Sequence, residues 1–157
     1  MDVQIRPMSP DDVVPVAALV ADCNRFLALR KGFSARQVRR LLAERCSEAW
    51  VRETTAVGET YLAVSGGAVV GLVGIEGHDL AELWVAPRCH LRGIGARLFA
   101  KVEGILRERG HSRLTVRTTG YAIPFYEAMG ARVVGEKACD RGPLEGWPLT
   151  YLEKDLD

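Results

Sequence analysis

The residues of this chain best placed to do chemistry lie in one stretch, Ala81-Glu-Leu-Trp-Val-Ala-Pro-Arg-Cys-His-Leu-Arg-Gly-Ile-Gly-Ala-Arg-Leu98. Gly93 and Gly95 fall where a strand gives way to a helix. Glycine there permits unusual φ and, lacking Cβ, lets a ligand come close to the backbone. The first N–H groups of a helix have no internal partner, and together with the helix dipole they form a site for a phosphate. Arg92 and Arg97 add full positive charge at that mouth, with Arg88 a third cation nearby. Two familiar nucleotide loops are excluded. A Rossmann fingerprint requires a third glycine near Leu98, and a P-loop requires Gly-Lys-Ser/Thr; the chain has neither.

The segment His90-Leu-Arg-Gly-Ile-Gly95 resembles the acyl-CoA pyrophosphate loop of the GNAT superfamily of N-acyltransferases, whose pattern is Gln/Arg-x-x-Gly-x-Gly/Ala. His90 stands at the Gln/Arg position. A second segment, Thr119-Gly-Tyr-Ala-Ile-Pro-Phe-Tyr-Glu-Ala-Met-Gly-Ala131, resembles the family's Asn-x-x-Ala-x-x-Phe-Tyr-x-x-x-Gly-Phe. Ala122, Phe125, Tyr126 and Gly130 fall in register, while Thr119 replaces the asparagine and Ala131 the final aromatic residue. The two motifs occur in the family's order and separation. The resemblance is good from the hairpin near Tyr61 to Ala131; the N-terminal third matches only in its order of elements.

The resemblance implies an N-acetyltransferase that moves an acetyl group from acetyl-CoA, as co-substrate and without a metal, to a primary amine by direct attack in a ternary complex. An acyl thioester is already activated. The protein must hold it beside the amine, take a proton from the amine, stabilise the oxyanion and protonate the departing thiolate. By resemblance the CoA contacts fall on Leu83, Trp84 and Val85 of the strand, on His90, Leu91, Arg92, Gly93, Ile94, Gly95, Ala96 and Arg97 of the loop, and on Thr119, Ala122 and Phe125. In a splayed strand the N–H of Val85 or a neighbour loses its ladder partner and is free for the thioester carbonyl. Tyr126 is the candidate general acid. For the base, family members use a carboxylate or histidine on the strand before the loop, or water. Asp79 and Glu82 are the choices here, with His78 behind them. The alternative function is a non-catalytic acyl-CoA-binding sensor or interaction module. The acceptor, a small-molecule amine or a protein amine, is expected to meet residues from Asn24 to Glu59 and the loop from Cys139 to Pro148.

The whole chain bounds these readings. Its 157 residues suit one domain, residues 1–157, with length enough for a core. A formal net charge of +1 indicates no general attraction to nucleic acid or to an acidic membrane. Cys23, Cys46, Cys89 and Cys139 are far apart with no Cys-x-x-Cys or Cys/His cluster, so a metal site is not indicated and reduced thiols of a cytoplasmic protein are the simpler reading. The first residues lack the basic and apolar regions of a signal peptide, and no apolar run reaches the roughly 20 residues that span a bilayer. No motif encodes an oligomeric state; a homodimer is compatible with the sequence.

The positioning elements follow from periodicity. Val3 and Ile5 alternate with polar residues as a short strand. Ser9-Pro-Asp-Asp12 starts a helix, with Pro15 better accommodated if Asp12 is the cap. Ser34-Ala-Arg-Gln37 is a capping box opening a second helix that runs to about Trp50. Tyr61–Val64 and Ala68–Ile75 form a hairpin, with Gly71 and Gly74 marking a bulge or a close approach, and Leu80–Ala86 adds a third strand. Ile94, Leu98, Val102, Ile105 and Leu106 stripe one helix face. Leu114–Thr118 is a strand that a right-handed crossover sets parallel to the third. Val133–Val134 and Leu149–Leu152 close the sheet. The expected fold is thus α/β (α+β), GNAT-like: a mixed, mostly antiparallel sheet of six to seven strands, with a central splayed parallel pair and helices on both faces.

Overall fold

The computed structural model describes residues 1–157. Its one sheet has seven strands in the order β1-β2-β3-β4-β5-β7-β6. β1 (Gln4–Pro7), β2 (Glu59–Ser65), β3 (Ala68–Glu76) and β4 (Asp79–Val85) form an antiparallel run. The β2–β3 hairpin turns on Gly66 and Gly67, with φ of 57° and 79°, the signs that a tight two-residue turn demands. α4 (Ile94–Glu108) carries the chain over to β5 (Arg113–Thr118), which lies parallel to β4. β7 (Pro148–Asp155) then inserts between β5 and β6 (Arg132–Ala138), antiparallel to both. This is the expected mixed sheet, at the upper end of the expected strand count.

The parallel pair is short. β4 and β5 pair only at Asp79–Thr115 and Leu80–Val116. Beyond Leu80 the strands part, although β3 still holds β4 to Val85 and β7 still holds β5 to Thr118. The register of β3 against β4 shifts at Gly74, so Ala81 is an extra residue immediately after the last parallel pair. A bulge bends its strand and increases local twist, which turns β4 away from β5. Gly71 answers to the other expectation. A Cβ there would sit 3.0 Å from Leu98 Cδ1 and 3.2 Å from Ile94 Cγ2, so α4 packs directly on the β3 backbone.

The remaining helices are α1 (Val13–Lys31), α2 (Ala35–Glu44), α3 (Glu48–Ala56) and α5 (Ile123–Ala128). α1 begins after a 3-10 turn, Pro10–Asp12, with Asp12 as its N-cap and Pro15 in its first turn. The Ser34–Gln37 box is present: Gln37 N–H donates to Ser34 Oγ (3.1 Å) and Ser34 N–H to Gln37 Oε1 (2.8 Å). The single helix expected to run on to Trp50 is instead two. Ser47 caps a new helix by accepting from Trp50 N–H at 3.1 Å, and the break buries Cys46 against Asn24. The second motif, whose residues Thr119–Ala131 read as a helix stopped at Gly130, is helical only over Ile123–Ala128. Thr119–Ala122 stay outside the helix, because Pro124 fits only a first turn.

α1 and α3 pack on the sheet face that carries Leu72, Glu82 and Trp84, whereas α4 packs on the opposite face. The core stripe of α4 forms as expected, with Leu98, Val102 and Leu106 fully buried and Ile94 nearly so. No helix is long and apolar enough to cross a membrane.

Two stability predictions follow from local structure. A Cβ at Gly104, in mid-α4, would meet nothing within 4 Å. Gly104→Ala is therefore expected to raise unfolding free energy by about 0.5–1 kcal/mol in urea titrations. Asp12, buried, accepts from both Arg6 guanidinium nitrogens (2.8 and 2.9 Å) and from Ser9 N–H (2.8 Å). These bonds, Arg6 first, hold its carboxyl well below the usual carboxylate range despite burial. A depressed folded pKa contributes stability above the unfolded value, and that contribution is lost as pH falls towards the folded one. Asp12→Ala should cost about 2 kcal/mol at neutral pH, and the deficit against wild type should shrink below about pH 4.

Candidate active site

Where β4 and β5 part, a cleft of about 740 Å³ opens through the sheet. Strand alternation decides what faces it. Ala86 N–H donates to Val70 C=O at 2.8 Å, so alternate residues Trp84 and Glu82 also turn their backbone groups to β3. Leu83 and Val85 turn theirs to the gap, where β5 is absent. The Val85 carbonyl takes His90 Nε2 at 2.9 Å and Cys23 Sγ at 3.4 Å. His90 is thus an internal strut that fixes the end of β4, with its ring edge-on to Phe26 at 5.0 Å.

The loop after β4 adopts the conformation that its glycines suggest. A 3-10 turn, Pro87–Cys89, follows the strand. Leu91 (φ 63°) and Gly93 (φ 79°) are both left-handed, and Leu91 is fully exposed. Left-handed non-glycine backbone costs about 1–3 kcal/mol and persists where the surroundings enforce it. Arg97 is the first residue whose N–H is taken inside α4, by Gly93 C=O at 3.1 Å. The N–H groups of Ile94, Gly95 and Ala96 therefore have no helical partner, and all three residues line the cleft. Gly95 has a second reason to be glycine: its Cβ would lie 3.2 Å from the Phe125 ring. Arg92 and Arg97 are exposed and stand outside the cleft lining, as charge around the mouth and not as walls.

Tyr126 is 5% exposed and packs against Phe125 and Phe99 with ring centroids at 5.2 and 6.2 Å. It lines the cleft, and no protein group hydrogen-bonds its hydroxyl, which is not sealed from the cleft. Burial raises its pKa above the usual phenol, and the charge of Glu82 raises it further. Thr119, Ala122 and Phe125 line the same wall.

The two candidate bases separate. Glu82 lies in the cleft and accepts from Trp84 Nε1–H at 2.6 Å. Burial pushes its carboxyl up, while the Trp84 bond and the charges of Arg45 and Arg117 oppose that rise. Asp79 is not brought to the site. It is the first residue of β4, exposed, hydrogen-bonded by Thr115 Oγ1 and 3.7 Å from His78 Nε2. Among other lining residues, Cys23 and Arg117 were not anticipated from the sequence, whereas Asn24, Arg45 and Trp50 fall in the 24–59 range named there. Cys23, Asn24, Trp50 and Arg45 come from α1, α3 and the end of α2, and Arg117 from β5. Residues 24–59 and the 139–148 loop, here through Leu144, contribute to the wall. No three His, Cys, Asp or Glu side chains are grouped to hold a metal.

Comparison with known proteins agrees with this geometry. A family model described as an acetyltransferase (GNAT) domain matches residues 29–144. The chain belongs to the GNAT acetyltransferase family. No curated protein sequence matches it. Among solved structures it is similar to a GCN5-related N-acetyltransferase from Rhodopseudomonas palustris, with 22% identity, coverage of 99% of this chain and 97% of that one, and a TM-score of 0.88. It is also similar to the PaiA N-acetyltransferase of Thermoplasma acidophilum, solved in complex with coenzyme A (18% identity, 99% of each chain, TM-score 0.75). An aminoglycoside 6′-acetyltransferase type Ii shares the fold as well (19% identity, 98% and 97% coverage, TM-score 0.68). At these identities the likeness is one of fold. In this GNAT chain the free N–H groups of α4, the left-handed loop and the cationic rim suit the phosphates of CoA. Gly95→Val, which must displace the Phe125 ring, is expected to weaken acetyl-CoA about tenfold or more by calorimetry while the melting temperature changes little.

Proposed function

We propose that this protein transfers an acetyl group from acetyl-CoA to a primary amine by direct attack within a ternary complex. The observation that carries the reading is the opening between β4 and β5, which brings Glu82 and Tyr126 within electrostatic reach of each other across one cleft. The N–H groups of Ile94, Gly95 and Ala96 hold the pyrophosphate, and the gap holds the pantetheine arm. The freed backbone N–H of Leu83 or Val85 faces the thioester carbonyl and stabilises its developing negative charge; such donors are worth most where water is excluded. His90 and Cys23, by fixing the Val85 carbonyl, keep that peptide from turning.

Glu82 is the base in this scheme. Its raised pKa suits proton removal near neutrality better than an ordinary surface carboxylate would. Asp79, exposed at the start of β4, does not line the cleft. Tyr126 is the acid: its buried phenol stays protonated across the working range and gives its proton to the departing thiolate.

The test is thiol release from acetyl-CoA with a broad amine panel. Tyr126→Phe is expected to lower kcat about a hundredfold or more with acetyl-CoA affinity unchanged. Because a base must be ionised to act, kcat/KM should rise with pH through the elevated pKa of Glu82. Glu82→Gln should remove that limb of the profile. Binding of acetyl-CoA without turnover of any amine would count against the catalytic reading.

A further inference from the structure

The end of the cleft away from α4 has an unusual charge balance. Of all its lining side chains, only Glu82, Arg45 and Arg117 belong to residue types fully charged near neutrality. Neither arginine forms a salt bridge. Arg45 ends α2, its N–H bonded to Leu41 C=O at 2.9 Å. The 139–147 loop passes beside its guanidinium at Gly142. Gly142 (φ 90°) passes so near that a Cβ would lie 2.9 Å from Arg45 Nη2. Arg117 lies on β5 beyond the last pair with β4, opposite Tyr151 of β7. The charges of both arginines reach Glu82. Around them the wall is apolar, built by Leu41, Trp50, Trp84, Leu144 and Leu149.

Both arginines are exposed and free of a salt bridge, so two cations border the cleft against one carboxylate and favour an anionic group on the ligand. Polycationic amines would be repelled there, since like charges select against a partner. A peptide N-terminus has its α-carboxyl tied up as an amide and so lacks the free α-carboxylate of an amino acid. We propose that the acceptor is a free amino acid with a large apolar side chain, its carboxylate held by Arg45 and Arg117 and its amine set at Glu82. This rests on the acetyltransferase reading above. Arginine suits the task because its planar fork matches a carboxylate. In the transfer, the amine nitrogen bonds to the acetyl carbon as the carbon–sulfur bond breaks. The amine's proton passes to Glu82, and the thiolate takes the proton of Tyr126.

The experiment compares leucine, methionine, phenylalanine and tryptophan with their decarboxylated amines, using the full chain and acetyl-CoA. Turnover and calorimetric binding to the CoA-loaded protein are both read. For at least one pair, kcat/KM for the amino acid should exceed that for the amine by about 10- to 100-fold, the range of a charged hydrogen-bonded contact. Arg45→Gln and Arg117→Gln should each cut that ratio about tenfold. The ratio is the proper readout, because both members of a pair use the same base and acid. Amines used as well as their amino acids would overturn the proposal. So would acetyl-CoA binding accompanied by neither binding nor turnover of any amino acid. Failure to bind acetyl-CoA at all would instead remove the acetyltransferase reading, and this inference with it.

Discussion

The site depends on a hydrogen-bond ladder that stops early. β4 and β5 share two residue pairs and then separate, each still paired with its other neighbour. Buried backbone groups without partners are costly, so such an opening persists only when something else satisfies or uses them. Here His90 and Cys23 take the Val85 carbonyl. The neighbouring N–H groups stay available for a ligand. The bulge at Ala81 stands at the fork itself, so the local twist of one strand and the existence of a binding cleft have one origin.

A second constraint is electrostatic. Glu82 sits between an indole donor and two guanidiniums, with a buried phenol across the gap. Desolvation favours its neutral form; the donors and cations favour the charged one. The net effect raises the carboxyl's pKa, whereas the Arg-paired carboxylate of Asp12 is held well below the usual range. Two carboxyl groups thus have their proton affinities moved in opposite directions, set apart by which neighbours reach them.

Much of this was legible in the sequence because the signals were local. Glycines at a helix start, a capping box and the α4 stripe each concern residues within a few positions of one another, and each forms as read. The choice between Asp79 and Glu82 was not local. It turns on where a parallel pair ends and which face of β4 meets the gap, and both are fixed by strands far away in the chain. The convergence of Arg45 and Arg117 was illegible for a like reason: α2 and β5 bring them to one cleft from positions far apart in the sequence. The missed break at Ser47 is different. Its cap signal was present, but Val38, Leu41, Leu42 and Cys46 continued at helical spacing into it and hid the end of α2.

The sheet order also imposes a sequence of events on a growing chain. β6 has β7 as its sole neighbour, yet β7 is made after it. Until Pro148–Asp155 has left the ribosome, β6 has nothing to pair with, and its exposed Val133 and Val134 flank an open edge. β5 is likewise held by only two pairs to β4 over that interval. The β1–β4 meander, by contrast, consists of neighbours in sequence and can assemble early. One half of the cleft is therefore built during synthesis and the other only when a late strand slides into the middle of the sheet, which makes the nascent chain's β5–β6 region the part most in need of protection from aggregation.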